Sequence, residues 1–346
     1  MQAVILAAGK STRTYPLTIT RPKPLLKIAN KTLLEHNLDS LMGIVSEAII
    51  VVGYRKEMIK KRIGNSYRGI RIKYAFQKEQ LGTGHALSIV KKYVKDKFLL
   101  MAGDDLYPKS ALKRCSLKKY SIFACKVKNP ENFGVILEKN GILSGFVEKP
   151  KKFIKFISSL ASTSLYSLDK KIFSYLEKVK KSERGEIELP DALKMLSKEE
   201  KVRVIKGTGW LPIGYPWDLL KADIIMRKGS NSIGKGSKIR GKVRNSSIGE
   251  NCTILGDVSN SIIMDNSFIG KNSVIENSVI GNNVRFDGKI KSKNNAVSVV
   301  NGRKIAAGKF GAAIGGNVTA EAAVIEAGVK VWPGNNLNGR IKNDVL

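Results

Sequence analysis

Histidine occurs twice, at His36 and His85, and cysteine three times, at Cys115, Cys125 and Cys252, in a chain of 346 residues. The cysteines are odd in number and have no metal-ligand spacing, which suits a reducing compartment. Apolar runs are short. Those at 48–52 and 98–102 fall far below the ~18 residues that a membrane span requires. Residues 4–8 follow the start without a basic region and run into Gly9, Lys10 and Ser11, so they read as a first strand rather than a signal peptide. A soluble cytoplasmic protein with no membrane partner is expected.

Acidic residues are scarce as well, 29 against 61 lysines and arginines, for a net charge of +32. With 42% hydrophobic residues the chain still has ample material for a core, so a folded chain is expected despite the charge. The excess is spread, 43 basic against 21 acidic over residues 1–225 and 18 against 8 over 226–346. No RNP, zinc or helix-turn-helix signature accompanies it, so specific nucleic-acid binding is not expected. The charge reads either as lysine-rich composition or as a potential that attracts small anions.

Over residues 1–225, short apolar runs (3–7, 48–52, 72–76, 98–101) alternate with helical spacing (32–41, 56–63, 84–94). That alternation predicts a mostly parallel sheet covered by helices. Strands are expected at 121–127, 134–137 and 142–148, helices at 170–179 and 189–196, and a closing helix between 210 and 226. After Lys228 the texture changes to Gly, Asn, Ser and Ile. Ile233 and Ile239, Ile248 and Ile254, and Ile263, Ile269 and Ile275 stand six apart, and glycine follows at 234, 249, 270 and 281. A six-residue period predicts a β-helix in which each coil buries one apolar residue per face. Residues 288–307 break the period and are expected to leave the coil as a hairpin. Two domains result, 1–228 and 229–346.

The first apolar run is followed by Leu6-Ala7-Ala8-Gly9-Lys10-Ser11-Thr12-Arg13-Thr14-Tyr15-Pro16-Leu17 and then Arg21-Pro22-Lys23-Pro24-Leu25. Glycine and small residues after a first strand let backbone N–H groups approach phosphates, and Arg13 and Lys23 add fixed cations. The pattern is neither a Walker loop nor the dinucleotide fingerprint. It resembles the G-x-G-T-R-x-x-P-L and P-K-x-L signature of sugar-1-phosphate nucleotidylyltransferases. Gln77-Lys78-Glu79-Gln80-Leu81-Gly82-Thr83-Gly84-His85-Ala86 resembles the uridine-recognition segment of bifunctional GlcNAc-1-phosphate uridylyltransferases. Asp104, after Met101-Ala102-Gly103, matches the family's Mg²⁺ ligand, a hard cation's oxygen donor. Asn132-Phe133-Gly134-Val135 and Val147-Glu148-Lys149-Pro150 resemble its sugar-contacting segments. The layout is similar to archaeal members carrying a left-handed parallel β-helix.

The resemblance implies an α/β, Rossmann-like nucleotidyltransferase domain followed by that β-helix. It implies NTP and sugar-1-phosphate as substrates, Mg²⁺ as cofactor, and a homo-oligomer, a trimer or a multiple of one, built through the β-helix. It further implies Arg13, Lys23 and Asp104 as catalytic residues, with Asp104 also the metal ligand. Leu6, Ala8, Gly9, Gln77, Gln80, Gly82 and Thr83 would bind nucleotide; Gly134, Glu148 and Lys149 would bind the sugar and its phosphate. UTP or dTTP with GlcNAc-1-phosphate or glucose-1-phosphate is the expected pairing. Three positions depart from the pattern. Ser11 replaces a glycine, Ser162 replaces a sugar-binding asparagine, and Pro212 stands where a second metal-binding carboxylate belongs, with Asp218 six residues on. They leave a non-catalytic subunit of the same architecture as the alternative. Residues 226–346 contain no histidine, so acetyl transfer by a histidine base is not expected there.

Overall fold

The structure, a computed structural model, describes residues 1–148, 150, 158–183 and 185–346. It comprises two units: Met1–Gly9 with Leu34–Pro212, and Lys10–Leu33 with Ile213–Leu346.

The first unit is built on a ten-stranded sheet. Gln2–Ala7 lies at its centre, parallel to Glu47–Val52 on one side and Phe98–Ala102 on the other. Glu47–Val52 is parallel in turn to Ile70–Phe76. The sequence of these strands explains their position. All six residues of Glu47–Val52 are buried, as expected of a parallel strand covered on both faces. Leu160–Leu168 then joins antiparallel beside Phe98–Ala102 and pairs with Ser121–Lys126. Arg203–Gly207, Ile142–Glu148 and Gly134–Lys139 complete the far edge. One core cluster, with Val4, Ile49, Leu100, Ile122, Phe173 and Leu193 among its members, fills the space between this sheet and its helices.

The second unit is a parallel β-helix. One of its faces stacks six strands in register: Ile233 on Ile248, Ile263, Ile280, Ile314 and Val331. From Ile248 onward the isoleucines read as six-residue steps point inward, Ile248, Ile254, Ile263, Ile269 and Ile275 forming one apolar column with Ile280, Phe286, Ile290 and Ile325, whereas Ile233 and Ile239 of the first coil are exposed. Between inward positions, buried hydroxyls bridge coils: Ser246 Oγ accepts the Ser261 N–H, Ser261 Oγ the Ser278 N–H, and Ser278 Oγ the Ala312 N–H, each at 3.0–3.1 Å. Corners need left-handed backbone. Asn251, Asn266, Asn283 and Asn317 all adopt positive φ, the region in which asparagine is tolerated best after glycine. Two further elements pack into this unit. The helix Pro216–Met226 starts with proline in its first turn and a capping box from Tyr215 and Asp218. The segment 10–33 departs from the sheet and belongs wholly to the β-helix unit.

Several expected boundaries move. The helices expected at 84–94 and 170–179 shorten to Thr83–Ser88 and Ile172–Leu176, and the flanking residues tighten into turns bonded three apart, such as Tyr93 N–H to Val90 O and Lys178 N–H to Tyr175 O. The closing helix begins only at Pro216, because Leu211 is held in an antiparallel bridge to Leu106. The hairpin pairs Lys293–Val300 with Arg303–Phe310, so residues 288–290 remain in the coil. Gly288 marks a corner there: a Cβ on it would lie 2.2 Å from Ala323 O. No helix among the described residues is long and apolar enough to cross a membrane.

Two stability measurements follow. Asn266→Gly is expected to leave the urea midpoint nearly unchanged, whereas Asn266→Val, a β-branched residue in left-handed backbone, costs about 1–2 kcal/mol. Burial pushes the Cys115 thiol up to about 11, while the unfolded thiol ionises near about 8.5. The unfolded chain therefore gives up its proton first, and stability falls as pH rises from about 8.5 through 11. Cys115→Ala should flatten that part of the pH–stability curve.

Candidate active site

In the first unit the candidate residues gather at the carboxyl ends of the parallel strands. The strand order, with Ile70–Phe76, Glu47–Val52, Gln2–Ala7 and Phe98–Ala102 side by side, reverses direction of growth between the last two. Open α/β sheets bind ligands at such a switch point. The backbone is drawn in tightly there. Gly103 donates its N–H to Leu6 O at 2.8 Å, and a Cβ on Gly103 would stand 2.9 Å from Ile5 Cγ2 and 3.0 Å from Leu6 O. Tyr54 N–H reaches Ala8 O at 3.0 Å and Gln77 N–H reaches Val52 O at 2.8 Å. A Cβ on Gly53 would lie 2.8 Å from Ala8 O and 3.0 Å from Gln77 O. Leu6, Ala8 and Gln77 thus share one edge with the start of the Gly103–Asp104 turn, while Gly9 is exposed at the tip.

Gln77 is buried, and its amide nitrogen lies 3.1 Å from His85 Nδ1 and 3.4 Å from Gly82 O. The loop between them is braced from outside: Ile187 N–H bonds to Leu81 O and Gly84 N–H to Ile187 O, both at 2.8 Å. Thr83 Oγ1 accepts the Leu189 N–H at 3.2 Å. Gly82 has φ +98°, and a Cβ on it would meet Ile187 O at 2.5 Å, so no other residue fits. Gln80 and Thr83 are exposed. His85 serves this loop as a hydrogen-bonding partner.

Asp104 and Asp105 follow the strand end above a buried tyrosine. Tyr107 donates to Thr163 O at 2.7 Å, and burial followed by the charges of Asp105 and Asp104 pushes its phenol well above the ordinary value. Asp105 Oδ2 accepts the indole N–H of Trp210 at 3.1 Å. Leu106 and Leu211 exchange backbone hydrogen bonds at 3.1 and 3.0 Å, and in that antiparallel register Pro212 falls opposite Asp105. Proline there offers no oxygen. Asp218, in the second unit, is committed elsewhere: its Oδ2 accepts the Gly214 and Tyr215 N–H groups, both at 2.9 Å. Among the described residues no group of three or more His, Cys, Asp or Glu side chains is arranged to hold a metal.

A third group lies on the far strands of the same sheet. Gly134 and Glu148 are directly paired across their antiparallel ladder, and a Cβ on Gly134 would stand 3.0 Å from Glu148 Oε2. The carboxylate leans over the glycine. Its charge also contributes to raising the Tyr166 phenol, after burial as the main cause. Tyr166 Oη is 3.1 Å from Ser162 Oγ, so the serine that departs from the family pattern faces the same neighbourhood. Lys149 lies outside the described residues.

Arg13 and Lys23 sit in the second unit, on segment 10–33. Ser11 adopts left-handed backbone, φ 54° and ψ 53°, which a glycine takes at no steric cost. Its carbonyl accepts the Thr14 hydroxyl at 2.8 Å and the Thr18 hydroxyl at 2.9 Å, which stabilises the turn despite the side chain. Arg13, exposed, places its guanidinium 5.7 Å from the centre of the Tyr215 ring. Tyr215 stacks on Trp217 at 4.8 Å. Lys23 is buried, and its carbonyl accepts the Leu26 N–H at 2.9 Å. Sequence reasoning missed Lys27, Asp223, Asp265 and Tyr107, none of which carries a motif.

The nucleotidyl transferase family model matches residues 2–228. The chain belongs to the nucleotidyl transferase family. It is 40% identical over 314 residues to the bifunctional protein GlmU of Methanococcus vannielii, covering 86% of this chain and 75% of that one. Against GlmU of Methanococcus maripaludis strain C7 it spans 58% of the relative's length. It is 34% identical over 256 residues to the bifunctional sugar-1-phosphate nucleotidylyltransferase/acetyltransferase of Sulfurisphaera tokodaii, covering 70% of this chain and 61% of that one. A Bacillus anthracis structure assigned as a glucose-1-phosphate thymidylyltransferase matches with TM-score 0.60 and 25% identity, over 66% of this chain and 96% of that one. For this nucleotidyl transferase, Gly82→Ala is expected to cost at least about 1–2 kcal/mol from the left-handed backbone alone. Chemical denaturation of the variant checks it.

Proposed function

We propose that this nucleotidyl transferase is a Mg²⁺-dependent sugar-1-phosphate nucleotidylyltransferase using UTP or dTTP with GlcNAc-1-phosphate or glucose-1-phosphate. The observation that supports it best is the tight carboxyl edge where Ala8, Gln77 and the Gly103–Asp104 turn are drawn together by Gly53 and Gly103. A sugar phosphate oxygen attacks the α-phosphorus of the NTP, the bond to the bridging oxygen breaks, and pyrophosphate leaves. The protein's task is positioning and charge neutralisation.

In this reading the backbone at Leu6, Ala8 and Gly9 approaches the phosphates, and Gln77, Gln80, Gly82 and Thr83 select the base. Gln77 suits that work because one amide both donates and accepts. Arg13 holds the β- and γ-phosphates, and Lys23 stabilises charge growing on the α-phosphate. Glu148, leaning over Gly134, receives sugar hydroxyls, and Lys149 the sugar phosphate. Magnesium is commonly held by one or two carboxylates with phosphates and water completing the shell. Asp104 as a single carboxylate fits that pattern. Mg²⁺, when bound, supplies charge neutralisation on the phosphate oxygens.

The enzyme so read is cytoplasmic, uses no membrane or specific nucleic acid, and is organised as a nucleotidyltransferase domain, 1–228, before a β-helix, 229–346, which joins copies of the chain, as a trimer or a multiple. Acetyl transfer is not assigned to the β-helix, since residues 226–346 hold no histidine. A second reading, a subunit that binds without turnover, is favoured by Pro212 opposite Asp105 and by the engagement of Asp218 as a helix cap.

Pyrophosphate release with Mg²⁺ separates the two, crossing UTP, dTTP and the other NTPs with GlcNAc-1-phosphate, glucose-1-phosphate and mannose-1-phosphate. Turnover with one uridine or thymidine pair is expected, and Asp104→Asn should lower kcat by about 10²–10³. Silence over the whole grid with UTP binding intact would establish the second reading. A rate gain in Pro212→Asp over a near-inactive wild type would trace it to the missing oxygen.

A further inference from the structure

We propose that Lys27, clamped by Asp265 and Glu250 of the β-helix, is a positioning residue for Lys23, so that nucleotidyl transfer depends on the β-helix. The inference rests on the reading above, in which Lys23 works on the α-phosphate.

Lys23, Lys27, Glu250 and Asp265 all lie within the second unit. Lys27 carries an ammonium in a side chain only 9% exposed, where an unpaired charge would be costly. Its Nζ stands 2.8 Å from Asp265 Oδ2, 3.0 Å from Asp265 Oδ1 and 3.5 Å from Glu250 Oε1. Asp265 is itself held: its Oδ1 accepts the Glu250 N–H at 2.9 Å and its Oδ2 the Asn282 amide at 3.4 Å. These three residues occupy the same corner of successive coils, after Gly249, Met264 and Gly281, whose neighbours Ile248, Ile263 and Ile280 stack in register. Lys27 therefore grips a rigid stack rather than a loop.

Further contacts hold the same segment. Asp223 is buried, accepts the Ala29 N–H at 2.8 Å, and is fixed by the Ser247 hydroxyl at 2.5 Å and by Arg227 Nε at 2.6 Å. Asn30 reaches Ser232 Oγ at 2.9 Å. Arg21 is held largely out of water; burial lowers its pKa and the charge of Asp265 opposes that. Between Lys23 and Lys27 the chain is short and buried, with Pro24 fixing one φ and Leu26 bonded back to Lys23 O and forward to Leu33 N–H at 2.9 and 3.0 Å. A displacement of Lys27 has little slack in which to be absorbed before it reaches Lys23.

Buried ion pairs of this kind give geometry more than stability, since desolvation offsets much of the attraction. Misplacement by about 1 Å can cost about 10²-fold in rate. The test uses the full chain and three variants, Lys27→Met, Asp265→Asn and the charge-keeping Lys27→Arg, with circular dichroism and thermal melting as fold controls. For the active substrate pair, Lys27→Met and Asp265→Asn should lose at least about tenfold in kcat with the sugar-phosphate KM within about twofold. Lys27→Arg should recover most of kcat. Hydrogen exchange at amides 25–29 should quicken in the first two variants only. Unchanged kcat in a folded Lys27→Met chain, or equal losses in Lys27→Met and Lys27→Arg, would reduce the clamp to packing and overturn the proposal. If the wild type itself turns nothing over, the functional reading has failed by its own assay. The clamp is then judged by exchange alone, and amides 25–29 equally protected in wild type and Lys27→Met would overturn it too.

Discussion

The candidate site of the first unit depends on how closely three backbone segments approach at the carboxyl edge of the sheet. Two glycines without room for a Cβ, Gly53 against Ala8 and Gln77 and Gly103 against Ile5 and Leu6, permit it. A methyl group at either would separate the end of Gln2–Ala7 from its neighbours. The adjacent parallel strands are buried on both faces and leave that edge as the place where polar groups can emerge. This approach sets the backbone from which Gln77 and Asp104 project, and the Gln77 amide is further held beside His85 and Gly82.

The departures from the family pattern have physical consequences of different weight. Ser11 bears its left-handed backbone because its carbonyl collects two threonine hydroxyls, so the turn survives the loss of glycine. Ser162 is joined to Tyr166 within reach of the Glu148 field, which leaves a hydroxyl where the pattern has an amide. Pro212 has no such compensation. Its place opposite Asp105 is occupied by an atom set without an acceptor side chain, and Asp218 is spent on two backbone N–H groups at a helix start.

The β-helix solves a different problem, burying an apolar column with very few aromatic residues. Left-handed corners take asparagine at 251, 266, 283 and 317 and alanine at 322, the hydroxyls of Ser246, Ser261 and Ser278 accept the next coil's N–H, and the isoleucines stack. That regularity provides a rigid frame, and segment 10–33 is fixed to it by Lys27, Asn30 and the Asp223–Arg227 pair.

By itself, the sequence determined the fold class, and its motifs named the candidate residues. The alternation of apolar runs and the six-residue isoleucine step are local properties, so the parallel sheet and the coil were legible. Arg13, Lys23, Gln77 and Asp104 stood out as candidates because they sit in short motifs, three of which contain glycine or follow it. Tertiary structure alone decided the rest. Strand Leu160–Leu168 inserts between Phe98–Ala102 and Ser121–Lys126 although its serines and threonine obscure the pattern. Gly288 turns a corner where the broken period suggested an exit. Lys27 and Asp265, more than two hundred residues apart, carry no motif, and only a coil stacked in register brings such charges together.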